Sequence, residues 1–104
     1  MRRVVAMAVA MGCGAPLAAN AQAGDAAAGR VLAERWCSAC HVVDAEQAQG
    51  NDAVPTFRAI GTKSWTELKF GMAMASPHPP MPTLDLTRRE LADLLAFVRR
   101  QAAE

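Results

Sequence analysis

Tyrosine is absent from the 104-residue sequence, aromatic residues make up only 5% of it, and cysteine occurs three times, at Cys13, Cys37 and Cys40. Charge of one sign is missing too: the formal net charge is +1 with 20% charged residues, which excludes both a disordered polyelectrolyte tail and a basic polyanion-binding protein. No stretch alternates polar and apolar residues over a useful strand length, and no internal repeat is visible. No uninterrupted apolar run reaches the roughly 20 residues that a spanning helix needs. One small domain is the most that this length allows.

What is present begins with an apolar N-terminus. Arg2 and Arg3 precede an apolar run from Val4 to Met11, Gly12, Gly14 and Pro16 interrupt it, and Ala21-Gln22-Ala23 supplies small residues at its end. A basic start, a short apolar run and a small-residue end form a secretory signal, so residues 1–23 are expected to be a cleaved leader and residues 24–104 the exported domain. Gly12 before Cys13 also suits a lipid anchor, although Ala10 stands where such signals carry a larger aliphatic side chain. Cleaved export to the periplasm is therefore the expectation.

Without the leader, 81 residues remain, with nine Lys or Arg against ten Asp or Glu. Nucleic acid is not an expected partner of such a surface. The remaining chain is rich in alanine (15 residues) and has only five aromatics, so its side chains supply little core volume. A domain of this size usually needs a metal, disulfides or a cofactor to complete its interior.

Periodicity predicts helices joined by loops. Asp25 is placed to cap a helix running to Trp36, with Ala28, Leu32 and Trp36 at fourfold spacing on one face. Gly29 inside it points to the close approach of another backbone or ring. A loop rich in turn formers follows, with one helical turn around Thr56 to Ile60 closed by Gly61. Ser64-Trp65-Thr66-Glu67 has the letters of a capping box opening a helix toward Met74, with Trp65, Leu68 and Met72 on a shared face. Four prolines in residues 76–82 make a stiff loop. Thr87-Arg88-Arg89-Glu90 is a second capping box, and Leu91, Leu94, Leu95 and Val98 form the apolar stripe of the last helix.

Cys37-Ser38-Ala39-Cys40-His41 is the C-x-x-C-H pattern of covalent haem attachment. Two residues between the cysteines let both thiols meet the two vinyl groups on one porphyrin edge, and the adjacent imidazole then reaches the iron. A zinc site built from Cys37, Cys40, His41 and His78 suffers from a ligand directly following the second cysteine and lacks a second ligand pair. A redox dithiol needs a βαβ context, which the helical pattern does not provide.

With this motif, Gly29 eight residues before it, Pro55 and Gly61 in the following loop, Met81-Pro82 and a terminal helix bearing Phe97, the chain resembles the small bacterial class I monohaem cytochromes c from residue 24 to residue 100. The resemblance implies an all-α fold, three to four helices wrapped around one covalently bound haem, with the terminal helices crossing at Gly29 against Phe97. It also implies that the carbonyl of Pro55 orients His41. The sequence departs from the family at Ala33, where many members have an aromatic, and in having no tyrosine to bind a propionate. Trp65 is then the candidate haem contact, and Arg58 and Lys63 read as solvated charges.

Met72, Met74, His78 and Met81 are the candidates for the second axial ligand. Met72 and Met74 fall in an amphipathic helix, where methionine is ordinary core filler. Met81 stands between Pro80 and Pro82 in the family's Met-Pro register, and the flanking rings restrict the backbone before ligation. Cys37 and Cys40 as haem thioethers, with His41 and Met81 on the iron, describe a one-electron carrier and not an enzyme. Its partners are redox proteins, and it meets the membrane only transiently through them. Two alternatives are a haem c subunit of a larger dehydrogenase or oxidase complex, and a five-coordinate haem protein that binds a small gas or peroxide.

Overall fold

The computed structural model describes residues 8–10, 12, 24–76 and 81–103. Most of the expected leader, and His78 with it, therefore lie outside the described residues. Four helices follow in order, α1 (Ala26–Trp36), α2 (Phe57–Gly61), α3 (Glu67–Ala75) and α4 (Arg88–Ala103), with no β-sheet among the described residues. The fold is all-α. Helix α4 is its axis, and each of the other three helices packs against it.

Helix α1 begins where the Asp25 carboxylate accepts hydrogen bonds from the backbone N–H groups of Ala27 and Ala28, at 2.9 and 3.3 Å. These are two of the donors that a helix start leaves without partners. The side that turns inward is Gly29, Ala33 and Cys37, one residue away from the expected face of Ala28, Leu32 and Trp36. Trp36 is 53% exposed. Backbone approach decides between the two faces: a Cβ at Gly29 would collide with the Asp93 carbonyl and sit 2.9 Å from Cβ of Phe97. Only the smallest side chains fit where α1 crosses α4, and Trp36 does not.

The crossing carries a polar lock. Asp93, on α4 and nearly buried, accepts the backbone N–H of Asp25 at 2.7 Å and faces the Arg89 guanidinium at 3.3 Å. A carboxylate at the start of α1 also meets the positive end of that helix's dipole. Helix α2 reaches α4 in the same way, since a Cβ at Gly61 would collide with the Val98 carbonyl.

Helix α4 starts on the reciprocal bonds of its capping box, Thr87 N–H to Glu90 Oε2 at 2.8 Å and Glu90 N–H to Thr87 Oγ1 at 3.1 Å. Leu94, Leu95 and Val98 are fully buried, and Leu91 packs against the same core. Helix α3 departs from expectation. Its cap is Thr66, whose Oγ1 accepts from Lys69 N–H at 3.1 Å, so Trp65 precedes the helix. Its core side is Phe70 and Met74 and not the expected Leu68 and Met72, which are 74% and 62% exposed.

Candidate functional site

The end of α1 runs directly into the Cys-x-x-Cys-His segment. Cys37 closes the helix, its N–H bonding to the Ala33 carbonyl, and then its own carbonyl accepts from both Cys40 N–H (3.1 Å) and His41 N–H (2.9 Å). The result is a tight turn that holds both sulfurs and the imidazole on one short arc. Cys37 lies in the core and Cys40 is exposed, so the two thiols face different surroundings. Burial pushes the Cys37 thiol up to about 11, because a thiolate is poorly solvated there.

The next residues position His41. Its Nδ1 lies 2.6 Å from the carbonyl oxygen of Pro55. Because a carbonyl only accepts, Nδ1 carries the proton and donates it, and Nε2 is left as the bare lone pair that a metal can take. The ring tilts against Phe57, with centroids 5.6 Å apart, and Phe57 in turn meets Phe97 edge-on at 6.2 Å. The loop that brings Pro55 there is tied to the attachment turn by Asn51 N–H to the Cys40 carbonyl (2.7 Å) and Phe57 N–H to the Val42 carbonyl (2.9 Å).

The other sequence-derived candidates are placed as follows. Trp65 is half-buried, stands edge-on to Phe70 at 5.5 Å and donates its indole N–H to the Ile60 carbonyl at 2.9 Å. That donor is engaged within the protein, so any haem contact of Trp65 is through its ring. Arg58 and Lys63 are exposed. Met81 is half-buried in the segment leading to α4, Met74 packs against the core, and Met72 faces outward from α3.

These donors fit a covalently held haem. Two thiols at turn spacing, an adjacent imidazole with its proton fixed on Nδ1, and a thioether in a separate loop are the groups such a cofactor takes. Among the described residues, no three His, Cys, Asp or Glu side chains converge as a metal cage. None of the described helices is long and apolar enough to cross a membrane.

One contributor to the site carries no sequence signal. Gln47, in the loop after the motif, bonds through its side chain to the carbonyls of Ser38 and His41. Glutamine in a polar loop reads as solvated, and only the folded loop reveals its targets.

The family model described as Cytochrome c matches residues 26–102. A cytochrome c-552 from Bradyrhizobium diazoefficiens is 38% identical over 80 residues, covering 76% of this chain and 77% of that protein. No solved structure gives a significant match.

Proposed function

The chain belongs to the cytochrome c family, and from that premise we propose a periplasmic carrier in which Cys37 and Cys40 hold haem c as thioethers and His41 and Met81 bind its iron. Electron transfer through covalently bound haem c, without turnover of a substrate, follows from the family. When bound, the haem supplies a one-electron couple at its iron. The residues supply everything else.

The observation that carries the reading is the 2.6 Å contact between His41 Nδ1 and the Pro55 carbonyl, directly after the cysteine pair. It fixes the tautomer and ring plane and raises the basicity of Nε2. Met81, half-buried and followed by Pro82, offers a soft sulfur that raises the reduction potential. Phe57 lays an apolar ring against His41 and is backed by Phe97. An apolar surround disfavours the extra charge of the ferric state, in the same direction as the sulfur. Held by both His41 and Met81, the iron would offer no position to a substrate, which suits a carrier. The basic start, apolar run and small-residue end of residues 1–23 support export, and donor and acceptor are other redox proteins.

The test is spectroscopic. The ferric protein is expected to show the weak near-infrared band of a sulfur–iron bond. Met81→Ala is expected to abolish it, lower the potential and open the iron to carbon monoxide. Retention of the band in Met81→Ala, with its loss in Met74→Ala or Met72→Ala, would identify another sulfur. Absence of the band from the wild type would point to His78 or an open site.

A further inference from the structure

If His41 is the iron ligand, the hydrogen bond at Nδ1 sets its ring plane only as firmly as the backbone that carries the ring is itself held. The backbone of the attachment turn is held mainly by its carbonyls. Those of Cys40 and Val42 are taken by Asn51 N–H and Phe57 N–H, and that of Cys37 by the turn itself. Ala39 is exposed, and the other two are Ser38 at the start of the turn and His41 itself. Among the described residues the only donor to reach either is the side-chain amide of Gln47, with Nε2 2.9 Å from each.

The same amide nitrogen is 2.8 Å from the Gln49 carbonyl, and Oε1 accepts the N–H of Val43 at 3.0 Å. Three acceptors share two hydrogens in a forked arrangement, so this side chain is engaged at every polar atom. Its position is set from α1. Asp44, nearly buried, accepts the N–H groups of Glu46 (3.1 Å) and Gln47 (3.0 Å) on Oδ1, while Oδ2 meets the Arg30 guanidinium at 3.1 Å. Arg30 stands on the helix that ends at Cys37. The chain Arg30, Asp44, Gln47, His41 therefore references the imidazole to the helix bearing the first thiol.

We propose that Gln47 is a positioning residue for His41: its side-chain amide fixes the Ser38 and His41 carbonyls and so, together with Pro55 on Nδ1, the ring orientation offered to the haem iron. This rests on His41 being the ligand. A side chain that merely filled the loop would act through its shape, whereas the clamp acts through its two N–H donors.

The experiment uses the purified holoprotein and NMR. In the wild type, the Gln47 side-chain amide protons are expected to exchange slowly with solvent. Gln47→Glu keeps the shape and the acceptor but loses both donors, and Gln47→Ala loses everything. Both are expected to speed exchange of the His41 Nδ1 proton in the ferrous state relative to the wild type. Both should also alter the pattern of ferric haem-methyl shifts, which reports the ring plane. Asp93→Asn, which alters a buried carboxylate at the opposite end of α1 from the turn, should leave both readouts unchanged. The proposal is overturned if Gln47→Glu retains wild-type exchange and methyl shifts, if Asp93→Asn changes them equally, or if the wild-type Gln47 amide exchanges at the rate of a free side chain. Should both Gln47 variants fail to mature, that wild-type measurement decides alone. If the wild type binds haem without His41 on the iron, the ligand reading fails. The clamp is then judged by Gln47 amide protection.

Discussion

At His41 the placement of one proton decides the chemistry of the ring. A carbonyl at 2.6 Å from Nδ1 leaves Nε2 for a metal, and no side-chain substitution at position 55 removes that carbonyl. The residue that a substitution can test is Asp93. Its carboxylate serves both the Asp25 N–H and Arg89, and truncation leaves a part-buried donor without a partner. Asp93→Ala is expected to lower unfolding stability by about 1–3 kcal/mol, read from guanidinium chloride denaturation of the holoprotein. Asp93→Asn retains an acceptor and should lose less. Equal losses in both variants would mean that the charge, and not the hydrogen bond, matters. The same scale separates what the letters reveal from what they hide. Cys37, Cys40 and His41 are legible because their chemistry depends on linear spacing. Gln47 is not, because its partners are backbone carbonyls gathered by the turn that it holds.

Among the elements, the crossing of α1 over α4 is the most exacting contact. Exchanging Gly29 for Ala would improve intrinsic helix propensity by about 1 kcal/mol. It would also place a methyl group into the Asp93 carbonyl and against Phe97, an overpacking that usually costs about 1–3 kcal/mol. The steric term wins, and Gly29→Ala is expected to lower the denaturation midpoint of the holoprotein, where an exposed helical position would gain from the same change. A raised midpoint would show that α1 can shift away from α4 at no loss. Sequence patterns located the helices better than their faces. The Thr87–Glu90 box is realised because both of its bonds form. Ser64–Glu67 has the same letters, yet Thr66 caps α3, since a hydroxyl nearer the first turn competes for the free N–H groups. Fourfold spacing fits both Ala28-Leu32-Trp36 and Gly29-Ala33-Cys37, and only the partner helix chooses between them.

For the whole molecule, composition already indicates a chain with too little side-chain volume to fold on its own. Its core rests on three phenylalanines and a few aliphatics around α4, and one of the buried residues is a haem-attaching cysteine in the reading above. A cofactor that completes the interior contributes directly to folding. The double variant Cys37→Ala, Cys40→Ala is therefore expected to lose most of its helical circular dichroism at 25 °C, and a cooperatively melting helical apoprotein would contradict the core argument. Export belongs to this scale as well: protein recovered from the periplasm should begin at Gly24, and a full-length chain in the membrane would refute cleavage after Ala23.

The central claim is that the cofactor is bonded to this polypeptide through Cys37 and Cys40. It is tested most directly by intact mass spectrometry of the purified protein after acid and organic extraction. The account predicts a polypeptide heavier by one haem, with the added mass on the peptide containing both cysteines and an absorbing reduced spectrum that survives extraction. A mass equal to the bare polypeptide, with the colour in the organic phase or with zinc in place of iron, would contradict it.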